Sequence, residues 1–176
     1  MGGSPISSFV DGTVESDVCD AMYEDVARSC LTNTRWRFAT NQATLTLLAT
    51  APTGRFDSAY QLPSGMLMLN ALTINDFPIE YDIYGDKAYC DAVSQDVVIA
   101  DYIFRADEAN WLPYFTIAVE FSMASVLAVS VARDAQLASL FEQKASMYLM
   151  QARRLDSQQQ TTRKLNTSRF IYQRRT

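Results

Sequence analysis

The sequence contains no histidine, and that one absence removes the Ser-His-Asp and Cys-His nucleophilic mechanisms together with every imidazole-ligated metal site. Cysteine is scarce as well. Cys19, Cys30 and Cys90 are an odd number at wide spacings, which fits neither a disulfide framework nor a zinc ribbon, so they are expected to be reduced and buried. The six glycines include no phosphate-cradling loop of either common spacing. No catalytic residue, cofactor or metal is expected, and the chain does not read as an enzyme.

Targeting and membrane signals are also missing. Met1 to Ile6 has neither a basic end nor an apolar run, and Ile6 stands where a myristoylation signal wants Ser or Thr, so neither export nor lipidation is expected. The longest apolar stretch, Phe115 to Ala132, is interrupted by Glu120, Ser122, Ser125 and Ser130. It lacks an aromatic or basic belt on both sides and reads as a buried helix rather than a membrane span.

What is present is a chain of 176 residues, 48% hydrophobic and 20% charged, long enough to bury about 70% of its unfolded surface as one domain. Its charge is unevenly placed. Arg163, Lys164, Arg169, Arg174 and Arg175 all follow Asp156, the last acidic residue, so the ten other basic residues face all twenty acidic ones and leave residues 1–156 near −10. An acidic body with a short cationic arm suits a tail that binds nucleic acid, an acidic partner or a neighbouring copy.

Along the chain, Thr13 followed by Val14-Glu15-Ser16 marks a capped helix start, with Val14, Val18, Met22 and Val26 recurring every four residues to about Leu31. The stripe Val18, Met22, Tyr23, Val26 and Cys30 is expected to pack inward. Short β-prone runs follow: Ala43 to Leu48, Met66 to Ile74, Ile79 to Tyr84, Lys87 to Cys90 and Val97 to Phe104, with Tyr84-Gly85-Asp86 reading as a hairpin turn. No run is separated from the next by a helix-sized crossover, which favours one antiparallel meander. Helical patterns return at 108–132 and 135–157. In the second, Ala138, Phe141, Ala145, Tyr148, Ala152 and Leu155 step by threes and fours, and Ala124, Ala128 and Ala132 on the first offer a narrow face for a close antiparallel pair.

The expected fold is therefore α+β: a helical bundle with a small antiparallel β-sheet at one end and an extended basic C-terminal arm. Residues 1–157 form the domain, with a helix at 14–31, a sheet at 43–104 and helices at 108–132 and 135–157; residues 158–176 form the arm. Within that arm, Phe170-Ile171-Tyr172 is too apolar for a plain solvating tail. With Arg163, Lys164, Arg169, Arg174 and Arg175 it makes up the candidate partner-binding set, because an apolar triplet fills a groove while arginines take carboxylates in pairs. Trp36, Phe38 and Tyr60 are the candidate structural anchors, with Trp36 paired to Phe38 or Tyr60 at the junction of first helix and sheet. Asp20 and Glu24 share a helix face, as paired carboxylates in a glycosidase or hard-cation site would, but solvated charge is the simpler reading.

Four motifs in order carry a resemblance: Ser4-Pro5-Ile6-Ser7-Ser8, Tyr23-Glu24-Asp25-Val26-Ala27-Arg28, Trp36-Arg37-Phe38-Ala39-Thr40 and Tyr60-Gln61-Leu62-Pro63. Over roughly residues 4–156 the chain resembles the head-to-tail adaptor family of tailed bacteriophages, the tail tubular protein A or gatekeeper-like connectors. In that family a helix ends just before a Trp-x-Phe-Ala step and a Tyr-x-Leu-Pro step opens the sheet. Family members usually carry a further helix ahead of the Ser-Pro-Ile segment. The resemblance implies a structural virion protein at the portal–tail junction, assembled in the host cytoplasm. It further implies a dodecameric homo-oligomer ring bound to the portal protein above and a tail or nozzle protein below, lining a channel through which packaged DNA passes without specific binding. A negative wall suits that passage. The alternative from another class is a small nucleic-acid-binding protein using its basic C-terminal tail, which would lose affinity steeply with salt. A carboxylate hydrolase acting on cell-wall sugar would need two facing acids in a cleft, and the sequence places none.

Overall fold

The computed structural model describes residues 6–50, 52 and 54–159. Thr13 caps the first helix, α1 (Val14–Thr32), by a reciprocal capping box: its hydroxyl accepts from the Ser16 backbone N–H while the Ser16 hydroxyl accepts from the Thr13 N–H. The expected inward stripe of α1 holds at Cys30, which is buried, and at Val26, which packs on the same cluster, with Val18 and Tyr23 half-buried, but not at Met22. Ser16, Cys19, Ala27, Cys30 and Leu31 are buried, whereas Val14 and Met22 are exposed. Periods of three and four through small residues, rather than the largest apolar side chains, set the packing face.

The middle of the chain forms two antiparallel four-stranded sheets where one meander was expected. Strands β1 (Thr40–Thr44), β8 (Val98–Phe104), β4 (Met66–Ile74) and β5 (Phe77–Ile79) pair in that order; β2 (Thr46–Leu47), β3 (Ser58–Gln61), β7 (Lys87–Cys90) and β6 (Tyr81–Tyr84) form the second. The split occurs at two places. Leu45, buried between β1 and β2, donates its N–H to Val98 of the first sheet, while Leu48 donates to Ala59 of the second. Glu80 likewise separates β5 from β6, breaking the run expected at 79–84. Two tight turns define register. Asn75 and Asp76 both take positive φ between β4 and β5, and Gly85 takes φ +64° as the first residue of the two-residue β6–β7 turn. The first is the type I′ pattern and the second places glycine where type II′ demands it.

Two hydrophobic clusters result. Leu45, Tyr60, Leu62, Leu69, Leu72, Cys90, Val98 and Tyr102 join the sheets, and Cys30, Leu31, Trp36, Ile103, Phe115, Val119 and Ala152 join the helices to the first sheet. β8 serves both by strand alternation: Val98, Ala100 and Tyr102 face the sheet cluster, Ile103 the helical one.

Helix α2 (Pro113–Ser130) begins later than the 108 expected, because Pro113 occupies its first turn and a separate 3-10 turn holds Glu108–Asn110. Helix α3 (Ala135–Gln158) starts at Asp134, whose carboxylate accepts from the Gln136 and Leu137 N–H groups. α2 and α3 run antiparallel, with Phe121 stacked on Tyr148 at 4.8 Å and Tyr114 bonded to Asp156. Of the expected α3 seam, Ala138, Ala145 and Ala152 are buried, but Leu155 is exposed and Asp156 takes the inward position. α2 is the one helix among the described residues long and apolar enough to cross a membrane by length and composition, and 28% of it is buried. α1 reaches it through Cys30, whose thiol donates to the Ser122 hydroxyl at 3.6 Å.

Candidate docking surface

The chain's chemistry is concentrated where α1 ends, the sheets begin and α3 finishes. Trp36 is fully buried there. Its indole N–H donates to the Cys30 carbonyl at 2.9 Å, closing the end of α1, and its ring meets Phe115 edge-on at 5.1 Å and Phe38 at 6.1 Å. Tyr60 sits in the other cluster, between the sheets, so of the two pairings expected the one with Phe38 is present, and Phe115 of α2 is a further partner that the sequence reading did not name. A backbone step later, Arg37 donates its N–H to both carboxylate oxygens of Asp156 at 3.4 Å, and its guanidinium bonds the Asp156 carbonyl at 3.1 Å. The Tyr114 hydroxyl donates to the same carboxylate at 2.9 Å. Asp156 thus clamps the end of α3 to the segment after α1.

Around this clamp lies a concavity of about 540 Å³ lined by Thr34, Arg35, Arg37, Met150, Arg153, Arg154, Asp156 and Ser157. Four of the ten basic residues of the acidic body meet here. Arg35 reaches Asp101 at 3.1 Å and Arg37 lies 4.0 Å from Asp156, while Arg153 and Arg154 are exposed and make no ion pair among the described residues. Nothing in the sequence announces the site, since Arg35-x-Arg37 and Arg153-Arg154 are more than a hundred positions apart and only the Asp156 clamp unites them. The concavity also adjoins the last of the described residues: the Gln159 amide donates to the Tyr114 hydroxyl at 3.4 Å. The predicted partner-binding residues Arg163, Lys164, Arg169, Phe170, Ile171, Tyr172, Arg174 and Arg175 lie outside the described residues.

A second polar knot holds α1 to the start of the α2 region. Arg105 bonds Glu24 at 3.0 Å and Glu108 at 2.6 Å and lies 5.4 Å over the Trp111 ring, while Tyr23 donates to Glu108 at 2.9 Å. Glu24 therefore serves an ion pair rather than a carboxylate pair with Asp20. No cluster of metal-ligating side chains occurs among the described residues. Because Arg105 is four-fifths covered, Arg105→Ala is expected to cost about 1–3 kcal/mol, read by urea unfolding. A loss within experimental error would show that Glu24 and Glu108 are satisfied by water instead.

The titrating groups favour the folded state on the neutral plateau. Burial pushes the Cys90 thiol up to about 11, with the charge of Asp91 adding to it. Burial and then the Glu108 hydrogen bond push the Tyr23 phenol up to about 12, and burial and then Asp156 raise Tyr114. Glu24 and Glu108 are lowered, chiefly by Arg105. A raised folded pKa means that the unfolded chain releases the proton first. Stability from these groups is therefore complete below the ordinary thiol and phenol values of about 8.5 and 10 and is lost as pH climbs through the raised ones. The melting temperature is expected to be flat from about pH 6 to 8, where no histidine titrates, and to fall steadily above about pH 9. A sigmoidal step near pH 6.5 would contradict this assignment. No family model matches the sequence, and no curated protein matches it.

Proposed function

We propose that this chain is a structural subunit of a tailed-phage virion: a head-to-tail adaptor that forms a ring at the portal–tail junction. In this reading α1, α2 and α3 are the helical bundle, the two sheets lie at one end of it, and residues 158–176 are an extended basic arm that docks on the portal protein. The observation that carries the reading is the placement of charge. Basic residues gather at the Arg35, Arg37, Arg153 and Arg154 concavity, at the root of a sequence segment with five further cations and no acids, while the rest of the domain is strongly acidic. A body of that sign repels DNA passing through a channel, and a basic arm is directed toward a partner that presents carboxylates. The absence of histidine agrees with a role that requires no proton shuttle.

Electron microscopy of the purified chain mixed with portal protein tests the assembly, with ring-shaped particles on the portal expected and persistent monomer counting against it. Deletion after Ser157 tests the arm. The truncated domain is expected to keep its melting temperature within a few degrees, because the Asp156 clamp and every core residue named above remain, yet to be absent from portal complexes. Normal incorporation of the truncation would remove the docking role.

The same concavity supports one competing reading, nucleic-acid binding through a basic surface continuous with the tail. That reading requires affinity for duplex DNA that falls linearly in the logarithm of salt concentration, with a slope of about −0.9 per phosphate contacted. The adaptor reading requires negligible affinity at physiological salt.

A further inference from the structure

The solvent face of α3 repeats the spacing of its buried seam. Leu140, Gln143, Met147, Met150 and Arg154 step by threes and fours, and Leu140, Met147 and Met150 are 46%, 50% and 60% exposed. This apolar row runs into the arginine concavity, which Met150 and Arg154 themselves line. α1 presents the complement. Asp17, Asp20 and Asp25 are exposed and make no ion pair among the described residues, Val14 and Met22 are exposed beside them, and the helix's one cation, Arg28, is paired with Glu24. The two helices pack on α2 through different side chains, Cys30 of α1 against Ser122 and Tyr148 of α3 against Phe121. The acidic-apolar face and the basic-apolar face are thus separate surfaces of one molecule.

We propose that the outer face of α1 in one copy, through Asp17, Asp20 and Asp25, docks on the Arg35, Arg37, Arg153 and Arg154 concavity and the methionine row of α3 in the next copy. Such a contact joins two different surfaces, so it is heterologous and propagates from copy to copy until rotation closes it; its closure into a ring rests on the adaptor reading given above. Carboxylates suit the concavity better than phosphates. Arg35 and Arg37 already hold the carboxylates of Asp101 and Asp156, and Met147 and Met150 offer apolar surface that Val14 and Met22 cover and a nucleic-acid backbone does not.

The test is charge-swap complementation on the full chain. Sedimentation of the wild type at rising concentration is expected to show self-association that weakens with salt, as rim and interface charges are screened. R153E/R154E gives each copy two acidic faces and D17K/D25K gives each copy two basic ones. Each variant alone is expected to associate at least about tenfold more weakly than wild type. An equimolar mixture restores both contacts in alternation and is expected to recover assembly. Circular dichroism establishes that both variants fold, and the wild-type salt dependence stands on its own if either does not. A wild type that stays monomeric at the highest concentration, or variants that associate as it does, overturns the proposal. So does loss of labelled duplex DNA binding in R153E/R154E, which would assign the concavity to nucleic acid. Rings that form on the portal and survive both variants would leave the adaptor reading standing and remove this interface. Open fibres that require both faces would keep the interface and remove the closed ring.

Discussion

Replacing Trp36 by Ala is expected to lower the free energy of unfolding by about 3–5 kcal/mol, the range for truncating a fully buried large aromatic side chain. Trp36 is 0% exposed and stands where α1, the sheet containing β8 and α2 meet, sharing its cluster with Leu31, Ile103 and Phe115. Two losses add there. The cavity left by the indole has Phe115 and Phe38 on its walls, neither free to collapse because each also packs on the other at 5.0 Å. The Cys30 carbonyl at the end of α1 also loses the 2.9 Å bond from the indole N–H and keeps only the longer one from the Asn33 N–H at 3.4 Å, a loss of about 0.5–1.5 kcal/mol for one hydrogen bond. Trp36→Phe keeps one ring in place while removing the donor and the rest of the indole, and is expected to cost roughly half as much. Urea unfolding followed by far-UV circular dichroism reads both, with an unchanged denaturant slope confirming that the unfolded state is the same. A Trp36→Ala loss below about 1 kcal/mol would mean that the junction repacks around another residue.

That junction is also where the sequence was most informative, and the reason is local chemistry. A tryptophan directly after a helix end has few places to go but inward, and the cap at Thr13, the strands Met66–Ile74 and Lys87–Cys90 and the Gly85 turn follow from residues within a few positions of one another. Features that depend on distant parts of the chain were not legible. The passage of the chain from one sheet to the other at Leu45 leaves no mark, because Leu45 is apolar and β-compatible in either sheet; its hydrogen bond to Val98, fifty-three positions away, decides the matter. The inward face of α1 was legible at Val26 and Cys30 but not at Ser16, Cys19 and Ala27, which are buried yet small or polar, so that a pattern of large apolar residues passes over them.

The same limit explains why the basic concavity was not foreseen. Paired arginines at 35 and 37 and at 153 and 154 look in sequence like ordinary solvated charge, whereas the cations after residue 157 stand out because they lack neighbouring acids. The fold supplies what the sequence could not: a buried carboxylate at position 156, where an apolar seam residue was expected one position earlier, turns the end of α3 toward the segment after α1 and brings the four guanidinium groups to one concavity. A helix that buries an acid at its last inward position is spending apolar contact to fix a geometry, which is a reasonable exchange only where that geometry is used.

Asp156→Ala is accordingly expected to be the second most destabilising change, at about 2–4 kcal/mol. Asp156 is 5% exposed, and its removal strips the acceptor from two donors at once, the half-buried Tyr114 hydroxyl and the Arg37 backbone N–H. The Arg37 guanidinium suffers less, since it is 39% exposed and keeps its bond to the main-chain carbonyl of residue 156. Asp156→Asn keeps one carbonyl oxygen for Tyr114 but turns an amide toward Arg37, so it is expected to retain about half of the lost stability. The alanine variant also carries a mechanical consequence that the Trp36 variant does not. With the clamp gone, the last turn of α3 is no longer tied to Arg37, so Arg153 and Arg154 separate from Arg35 and Arg37, and hydrogen exchange of residues 152–158 is expected to accelerate well before global unfolding. If exchange in that turn rises only in step with global stability, Asp156 is a packing residue of the whole domain rather than the clamp that assembles the basic concavity.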